Sequence, residues 1–181
     1  MQIIGITGRK QNGKDTIGNY LIENYGYERY AFADPLKEIC KILFGFNDDQ
    51  LWGNKKEEMD PFWKTTPRKL FQFIGTELFR EQLYQVLPDV TDDIWVKVLE
   101  KKLMDSDPLK KIVITDIRFQ NECDLIKKLG GTLIRVTRNT LEVNDLHSSE
   151  KDIDDFNVDY EIINNTNKMD LYEKIDVILI K

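Results

Sequence analysis

Two glycines and a lysine lie close together near the start of the chain, in the run GRKQNGKDT at residues 8–16. The run follows a short apolar segment, residues 3–7, and precedes a helical pattern, residues 17–25. Such glycines let the backbone curl so that successive N–H groups converge on an anion, and the following helix adds the positive end of its dipole. Lys14 would then reach the β- and γ-phosphates of a nucleotide. A glycine turn with a solvated lysine is the alternative, but the position between a strand and a helix favours a phosphate site.

The residue after this lysine departs from the usual phosphate-loop pattern. A Ser or Thr normally stands there and its hydroxyl holds Mg²⁺, whereas this chain has Asp15 followed by Thr16. A carboxylate is also a hard oxygen ligand suited to Mg²⁺. Because Asp is a good cap for a helix N-terminus, a structural role is the alternative. We favour a metal role for Asp15, direct or through water, with Thr16 as a further oxygen donor.

An acid and a base follow an apolar run in the second half of the chain. Residues 112–115 are predicted to form a buried strand that leads into Asp116-Ile117-Arg118. Ligands of α/β proteins bind at the carboxyl ends of parallel strands. Asp116 would hold Mg²⁺ through water or accept a proton from the phosphate acceptor, and Arg118 would grip a phosphate. A surface ion pair of little consequence is the alternative.

Three polar side chains are predicted to share one face of a helix over residues 68–83. Arg68, Gln72 and Thr76 follow one another at four-residue intervals, which places them on one side. An arginine fits a monophosphate, and a glutamine offers both a donor and an acceptor to a base edge. A solvated polar face opposite a core stripe explains the spacing almost equally well. Trp95 stands on an apolar stripe that is more typical of a core than of a stacking platform.

The polar segment 138–151 follows another predicted strand and contains the only histidine, His147. We interpret it as a lid that closes on the phosphates, with Arg138 neutralising charge that develops during transfer. A histidine in a loop is, taken alone, usually an ordinary surface residue.

The rest of the pattern supplies the elements that would position these groups. Strands are predicted at residues 3–7, 30–33, 112–115, 132–136 and 160–163. Helices are predicted at residues 16–25, 34–44, 68–83, 92–104, 121–129 and 170–180. Asp34 is predicted to cap the second helix, with Pro35 in its first turn. Strands that alternate with helices predict an α/β fold with a mostly parallel sheet.

Length and composition exclude several classes of protein. The 181 residues, 41% hydrophobic and 32% charged, are typical of one folded domain and not of a disordered chain. A net charge of −6 argues against polymeric nucleic acid as the main partner. Cys40 and Cys123 form no CxxC pair, so neither a disulfide nor a zinc site is expected. Without a signal-peptide pattern or a membrane-length apolar segment, we expect a soluble cytoplasmic protein with no membrane partner.

The order of these motifs resembles the deoxynucleoside monophosphate kinases, the family typified by a bacteriophage enzyme. The matching runs keep nearly the same intervals from end to end: GKDT at 13–16, RKL at 68–70, GTE at 75–77, WVK at 95–97, DIR at 116–118 with Glu122, GGT at 130–132, VTR at 136–138, NDLHSSE at 144–150 and IIN at 162–164. The aspartate after the phosphate-loop lysine belongs to that family pattern, as it does in animal phosphomevalonate kinases.

The resemblance implies a nucleoside monophosphate kinase-like P-loop fold with three α/β/α layers. It implies one domain with a core at residues 1–33, 108–137 and 158–181, an acceptor-binding helical region at 34–107 and a lid at 138–157. It further implies ATP and Mg²⁺ as cofactors, a (deoxy)nucleoside monophosphate as acceptor, and dimers as a common assembly. It also places Trp95 in the acceptor site and Asn164 near the donor base.

The predicted site therefore falls into overlapping sets. The catalytic set is Lys14, Asp15, Asp116, Arg118 and Arg138. The donor-binding set is Gly8, Lys10, Asn12, Gly13, Lys14, Asp15, Thr16, Arg138 and Asn164. The acceptor-binding set is Asp34, Lys37, Arg68, Gln72, Thr76, Trp95, Asp116, Arg118 and His147. The metal-binding set is Asp15, Thr16 and Asp116.

The leading prediction is transfer of a phosphoryl group from ATP to a (deoxy)nucleoside monophosphate. One alternative is a P-loop kinase of another small acceptor, such as phosphomevalonate or dephospho-coenzyme A. A second is a module that binds ATP without turnover, and a kinase of nucleic-acid ends is disfavoured by the acidic balance. Residues 34–37 and 44–66 depart from the phage enzyme, so the accepted base stays open.

Overall fold

The computed structural model describes residues 1–139 and 153–180. The chain divides into two compact units. The first comprises Met1–Ala31 and Leu103–Lys181, and the second comprises Phe32–Lys102.

A five-stranded parallel sheet forms the centre of the first unit. Its strands are β1 (Gln2–Thr7), β2 (Glu28–Tyr30), β3 (Lys111–Ile117), β4 (Thr132–Thr137) and β5 (Tyr160–Ile163), in the order β2-β3-β1-β4-β5. Every pairing is parallel. The predicted α/β fold with a parallel sheet is confirmed.

Helices cover both faces of this sheet. They are α1 (Lys14–Tyr25), α7 (Gln120–Lys128) and α8 (Lys168–Leu179). Ile4 and Ile6 of β1 belong to the buried cluster that includes residues of α1 and α8. Gly5, between them, lies against Ile126 of α7. Successive residues of a strand point to opposite faces, so the three layers follow from β1 being apolar on both sides.

The order of the strands fixes where a ligand site can form. The connection that leaves β1 runs towards β2, whereas the connection that leaves β3 runs towards β4 on the other side. A crevice opens at the carboxyl ends of neighbouring strands whose connections diverge in this way, and ligands of open α/β sheets bind there. The segments after β1 and β3 therefore border the expected site.

The second unit is helical. It contains α2 (Asp34–Phe44), α3 (Asp48–Leu51), a 3₁₀ turn (Asn54–Glu57), α4 (Pro67–Gln72), a π-helix (Phe73–Leu78), α5 (Phe79–Gln82), a 3₁₀ turn (Leu83–Gln85) and most of α6 (Ile94–Met104). The predicted helix at 68–83 is thus present, but its middle turn is π-helical. A single wide turn of this kind often marks a functional position.

Three details of the sequence prediction are wrong. The second strand ends at Tyr30, because Ala31 and Phe32 are buried without joining the sheet ladder. Asp34 is not a helix cap, since Ala33 is the N-cap and no side chain caps that end. The predicted strand at 112–115 extends to Ile117, so Asp116 lies inside it.

Two further expectations concern cysteines and membranes. Cys40 and Cys123 are both buried free thiols. Burial raises the pKa of the Cys40 thiol to about 11 and that of the Cys123 thiol to about 12, which disfavours the reactive thiolate. Within the described residues, no helix is long and apolar enough to cross a membrane.

Candidate phosphate-binding site

The loop between β1 and α1 requires glycine at both of its ends. Gly8 and Gly13 have φ angles of 143° and 109°, and Gln11 also has a positive φ of 65°. A Cβ atom at Gly8 would lie 2.3 Å from the carbonyl oxygen of Val136. At Gly13 it would lie 2.5 Å from Nδ2 of Asn164. Both backbone angle and space therefore exclude a side chain at these positions.

Lys14 folds back over this loop. Its Nζ donates to the carbonyl oxygen of Gly8 at 2.6 Å and to that of Arg9 at 2.8 Å. Since Lys14 is also the first residue of α1, its positive charge is held beside the N-terminal end of a helix dipole. Both charges favour an anion in the loop.

Asp15 connects this loop to the neighbouring strand. Its Oδ1 accepts a hydrogen bond of 3.1 Å from Oγ1 of Thr115 in β3. Gly18, one turn along α1, permits this approach, because a Cβ there would lie 2.6 Å from Cγ2 of Thr115. The helix is capped by Gly13 without a side-chain bond. Asp15 is therefore not the helix cap, and its metal role stays a prediction.

The loop is supported on its other side by two asparagines. Asn12 Nδ2 donates to the carbonyl oxygen of Val136 at 3.0 Å. Asn164 Nδ2 donates to the carbonyl oxygen of Asn12 at 2.8 Å. Both asparagines are buried. Arg138 joins the same group, since its Nε donates to the carbonyl oxygen of Asn164 at 2.9 Å.

The turn after β3 is organised by a buried carboxylate. Glu122 is only 3% exposed, and its Oε2 accepts from the backbone N–H groups of Arg118 at 2.8 Å and Phe119 at 3.2 Å. The carboxylate thereby fixes the backbone that carries Arg118, directly after the strand that carries Asp116. The sequence showed Glu122 only as part of a motif, because its bonding partners are backbone groups.

In the second unit, the predicted acceptor residues lie along the interrupted helix. Arg68 forms an ion pair with Glu57, with 2.6 Å between Nε and Oε1. Arg68, Gln72 and Thr76 are all half-buried. Trp95 is 6% exposed, and its Nε1 donates to the carbonyl oxygen of Gly75 at 2.8 Å. The indole thus holds the π-helical turn, and a stacking role for it stays a prediction.

For the remaining predicted site residues, the structure gives the exposure of the side chain and one ring contact. Lys10 is exposed, and Thr16, Asp34 and Lys37 are half-buried. The Lys37 ammonium lies 5.7 Å from the ring centre of Trp52. His147 and most of the predicted lid lie outside the described residues. The sequence pattern does not indicate the ion pair between Arg9 and Asp154 that the structure shows.

The residues proposed for Mg²⁺ have the chemistry that this ion needs. Within residues 1–139 and 153–180, no three His, Cys, Asp or Glu side chains form a group that could hold a metal by themselves. Mg²⁺ at nucleotide sites is held by one or two carboxylates together with phosphate oxygens and water. This requirement of one or two carboxylates is met by Asp15 and Asp116, and the hydroxyl of Thr16 adds a further oxygen.

The sequence of this chain matches known proteins along most of its length. The model of the family described as deoxynucleotide monophosphate kinase matches residues 2–60 and 53–175. The homologue from Acanthamoeba polyphaga mimivirus is 37% identical over an alignment of 182 positions, and this alignment covers 97% of this chain and 94% of the relative. The deoxynucleoside-5'-monophosphate kinase of Escherichia phage T5 is 23% identical, covering 97% of this chain and 96% of the relative.

Solved structures show the same fold at lower identity. TT1252 from Thermus thermophilus aligns with a TM-score of 0.54 and 18% identity, over 98% of this chain and 95% of that one. Dephospho-CoA kinase from Campylobacter jejuni aligns with a TM-score of 0.52 and 18% identity, over 99% and 96%. These similarities concern the fold alone.

Proposed function

The chain belongs to the deoxynucleotide monophosphate kinase family, and from this we propose that it transfers the γ-phosphoryl group of ATP to a deoxynucleoside monophosphate, with the phosphates of ATP bound by residues 8–16. The products would be a deoxynucleoside diphosphate and ADP. The chain is therefore an enzyme, a phosphotransferase whose acceptor is itself a phosphate group.

The geometry of the glycine loop carries the assignment of the donor site. Gly8 and Gly13 adopt backbone angles that L-residues avoid, and Lys14 closes the loop with two hydrogen bonds to its carbonyl oxygens. A loop of this shape at a helix N-terminus is a binding site for phosphate groups. On ligand binding, the Lys14 ammonium would exchange those carbonyl oxygens for phosphate oxygens.

Phosphoryl transfer then depends on charge and orientation more than on covalent chemistry. Lys14 would neutralise the bridging phosphates, and Arg118 and Arg138 would stabilise charge on the transferred group. Asp15, Thr16 and Asp116 would hold Mg²⁺, which when bound neutralises phosphate charge. Asp116 is also the candidate to accept the proton of the attacking phosphate, when that group carries one.

The acceptor would be bound by residues of the second unit. Arg68 is proposed to hold the monophosphate, and Gln72 and Thr76 to contact the nucleoside. The ion pair with Glu57 keeps the Arg68 guanidinium oriented, and the acceptor phosphate would compete with that carboxylate for it. Asp34, Lys37 and Trp95 are the other residues of this unit in the proposed acceptor set. The base that this unit accepts stays open.

We expect turnover with one or more deoxynucleoside monophosphates in a coupled assay of ADP release with ATP and Mg²⁺. The acceptor panel is dAMP, dGMP, dCMP and dTMP, the corresponding ribonucleotides, phosphomevalonate and dephospho-coenzyme A. Because Gln72 offers both a donor and an acceptor, we expect one base to be preferred over the others.

The panel separates the proposed function from its alternatives. Turnover with phosphomevalonate or dephospho-coenzyme A alone would identify a kinase of another acceptor. ATP binding with no ADP released on any acceptor would identify a binding module. Either result contradicts the proposal. The rates with the ribonucleotides, compared with those of the deoxyribonucleotides, measure the preference for deoxyribose over ribose.

Asp15→Asn should raise the Mg²⁺ concentration needed for half-maximal rate by about tenfold, because an amide oxygen is a weaker ligand for Mg²⁺ than a carboxylate. The amide oxygen can still accept the hydrogen bond from Thr115, so the loop should keep its shape. The measurement is a Mg²⁺ titration of the rate at fixed ATP.

The matched control for Asp15→Asn is Asp124→Asn in α7. Asp124 is also an exposed carboxylate that accepts one side-chain hydrogen bond, from Gln120 at 2.8 Å. Its replacement should leave the Mg²⁺ requirement unchanged. If the Mg²⁺ concentration for half-maximal rate is also unchanged in Asp15→Asn, Asp15 has a structural role and is not a metal ligand.

A further inference from the structure

We propose that Asn164 is a positioning residue that holds the phosphate-binding loop in its binding shape, and that it acts on the phosphates of the donor and not on its base. The inference rests on the proposed function for the identity of the donor. It differs from the expectation, drawn from family resemblance, that Asn164 contacts the donor base.

The Asn164 side chain lies against the phosphate-binding loop. The residue is 4% exposed, and its Nδ2 donates to the carbonyl oxygen of Asn12 at 2.8 Å. The same Nδ2 atom lies where a Cβ on Gly13 would come within 2.5 Å. The amide group therefore packs directly against the last two residues of the loop.

This contact controls the orientation of one peptide plane in the loop. An N–H group of the loop can point at a phosphate only when the peptide plane that carries it is correctly oriented. The carbonyl oxygen of Asn12 belongs to the same peptide plane as the N–H group of Gly13. A hydrogen bond from Asn164 to that oxygen thus orients one peptide of the loop directly.

Asn164 is itself anchored to the parallel sheet. Its backbone N–H group donates to the carbonyl oxygen of Thr137 at 2.8 Å, which extends the ladder between β4 and β5. Asn12 reaches the same strand through its own bond to Val136. The loop is therefore fixed by two side-chain amides to the carboxyl end of β4.

Asn164 also contacts Arg138, through its backbone. The carbonyl oxygen of Asn164 accepts from Nε of Arg138 at 2.9 Å. One residue thus orients the loop through its side chain and a predicted catalytic arginine through its backbone. A side-chain replacement removes only the first of these contacts, so the two effects are separable.

The test compares Asn164→Ala and Asn164→Asp with the wild type for binding of ADP and of inorganic pyrophosphate, each with Mg²⁺, by calorimetry. Pyrophosphate has no base. We expect Asn164→Ala to weaken both ligands by the same factor, about tenfold, since a buried carbonyl oxygen loses its partner and the loop loses its shape. Asn164→Asp should weaken both further, because a carboxylate would face that carbonyl oxygen and add negative charge beside the phosphates.

The matched control is Asn24→Ala at the other end of α1. Asn24 also donates its Nδ2 to a backbone carbonyl oxygen, that of Tyr20 at 3.0 Å, but it is exposed. Its replacement should change neither affinity. If Asn164→Ala does not fold, the Asp variant is used in its place, because it keeps the shape of the side chain and exchanges the donor for a charged acceptor.

Two results would overturn the proposal. If ADP binding weakens while pyrophosphate binding stays constant, Asn164 acts on the base of the donor and not on its phosphates. Affinities within twofold of wild type for both ligands would make the contact irrelevant to binding. Neither measurement needs an acceptor, so a failure of the proposed kinase reaction would appear in the turnover assay alone. In that assay we expect KM for ATP to rise while KM for the acceptor stays constant.

Discussion

Lys14→Ala is expected to reduce kcat by about three powers of ten or more, which corresponds to at least about 4 kcal/mol of transition-state stabilisation. The ammonium is the positive charge that the structure fixes inside the loop, 2.6 Å from the carbonyl oxygen of Gly8 and 2.8 Å from that of Arg9. Without it, charge on the phosphate oxygens would be opposed by backbone dipoles, by the proposed Arg118 and Arg138, and by Mg²⁺ when it is bound. The measurement is the rate of ADP release at saturating ATP and acceptor.

The control for this substitution is Lys111→Ala. Lys111 Nζ also donates to a backbone carbonyl oxygen, that of Tyr25 at 3.3 Å. Lys111 pairs with Gln2 at the amino end of the parallel strands, however, opposite to the end at which the loop lies. This variant should keep wild-type kcat. A folded Lys14→Ala enzyme with more than about a tenth of wild-type kcat would remove Lys14 from the catalytic set.

Lys14→Met tests whether the loss of kcat comes from the missing charge or from the missing side-chain volume. Methionine keeps an unbranched chain of similar length without the charge. A loss of kcat as large as that in Lys14→Ala would attribute the effect to charge. A clearly smaller loss would attribute part of it to the space that the lysine stem fills.

The shape of the glycine loop at residues 8–13 could be predicted from sequence because its determinants are local. Glycine permits the positive φ angles found at Gly8 and Gly13, and the preceding strand and following helix follow from short-range patterning. The apolar runs that form β1, β3 and β4 are recognisable for the same reason, since a strand covered on both faces is apolar throughout. The prediction of the second strand is wrong at its end. Ala31 is buried, as strand residues are, but it does not pair with a neighbouring strand, and the sequence pattern shows only the burial.

The contacts that support the loop could not be predicted in this way. Asn164 lies 152 residues from Asn12, and Thr115 lies 100 residues from Asp15. No local pattern specifies such pairs, because they depend on which strands become neighbours in the sheet. Family resemblance suggested that Asn164 belongs to the donor site, and the hydrogen bond to Asn12 supplies a physical reason for its presence there.

The π-helical turn was also beyond sequence patterning. The repeat of apolar residues is about 3.6 residues per turn in an α-helix and about 4.4 in a π-helix. Over the single turn at Phe73–Leu78, a sequence pattern cannot distinguish these two repeats. The contact that accompanies the wide turn, from Trp95 Nε1 to the carbonyl oxygen of Gly75, is again long-range. An indole on an apolar stripe was correctly predicted to be buried, but its hydrogen-bonding partner was not.

Gly13→Ala is expected to reduce kcat/KM for ATP by at least about a hundredfold. The φ angle of 109° lies outside the left-handed region that L-residues can reach at modest cost. The added methyl group would lie 2.5 Å from Nδ2 of Asn164, so either the loop or that side chain must move. In both cases the bond that orients the Asn12 peptide is lost. ATP-dependent kinetics and thermal unfolding measure the two consequences.

Gly26→Ala at the opposite end of the same helix is the matched control. Gly26 has a φ of 70°, within the left-handed region, and a Cβ there would meet nothing within 4 Å. Alanine at that position costs only the backbone preference, about 1 kcal/mol of stability. Its affinity for ATP should be that of the wild type. Equal kinetic losses in the two variants would mean that general destabilisation, not loop geometry, explains the effect of Gly13→Ala.

The double variant Gly13→Ala/Asn164→Ala separates backbone strain from the steric clash. Removing the Asn164 amide removes the atom that the new methyl group would meet, so the stability lost through Gly13→Ala should be smaller in the Asn164→Ala background than in the wild type. Residues in contact are expected to show such non-additivity, typically 0.5–3 kcal/mol in size as an order of magnitude. ATP affinity should nevertheless stay low in the double variant, because the loop still lacks the bond to the Asn12 carbonyl oxygen. Full additivity in stability would show that φ strain alone makes glycine necessary at this position.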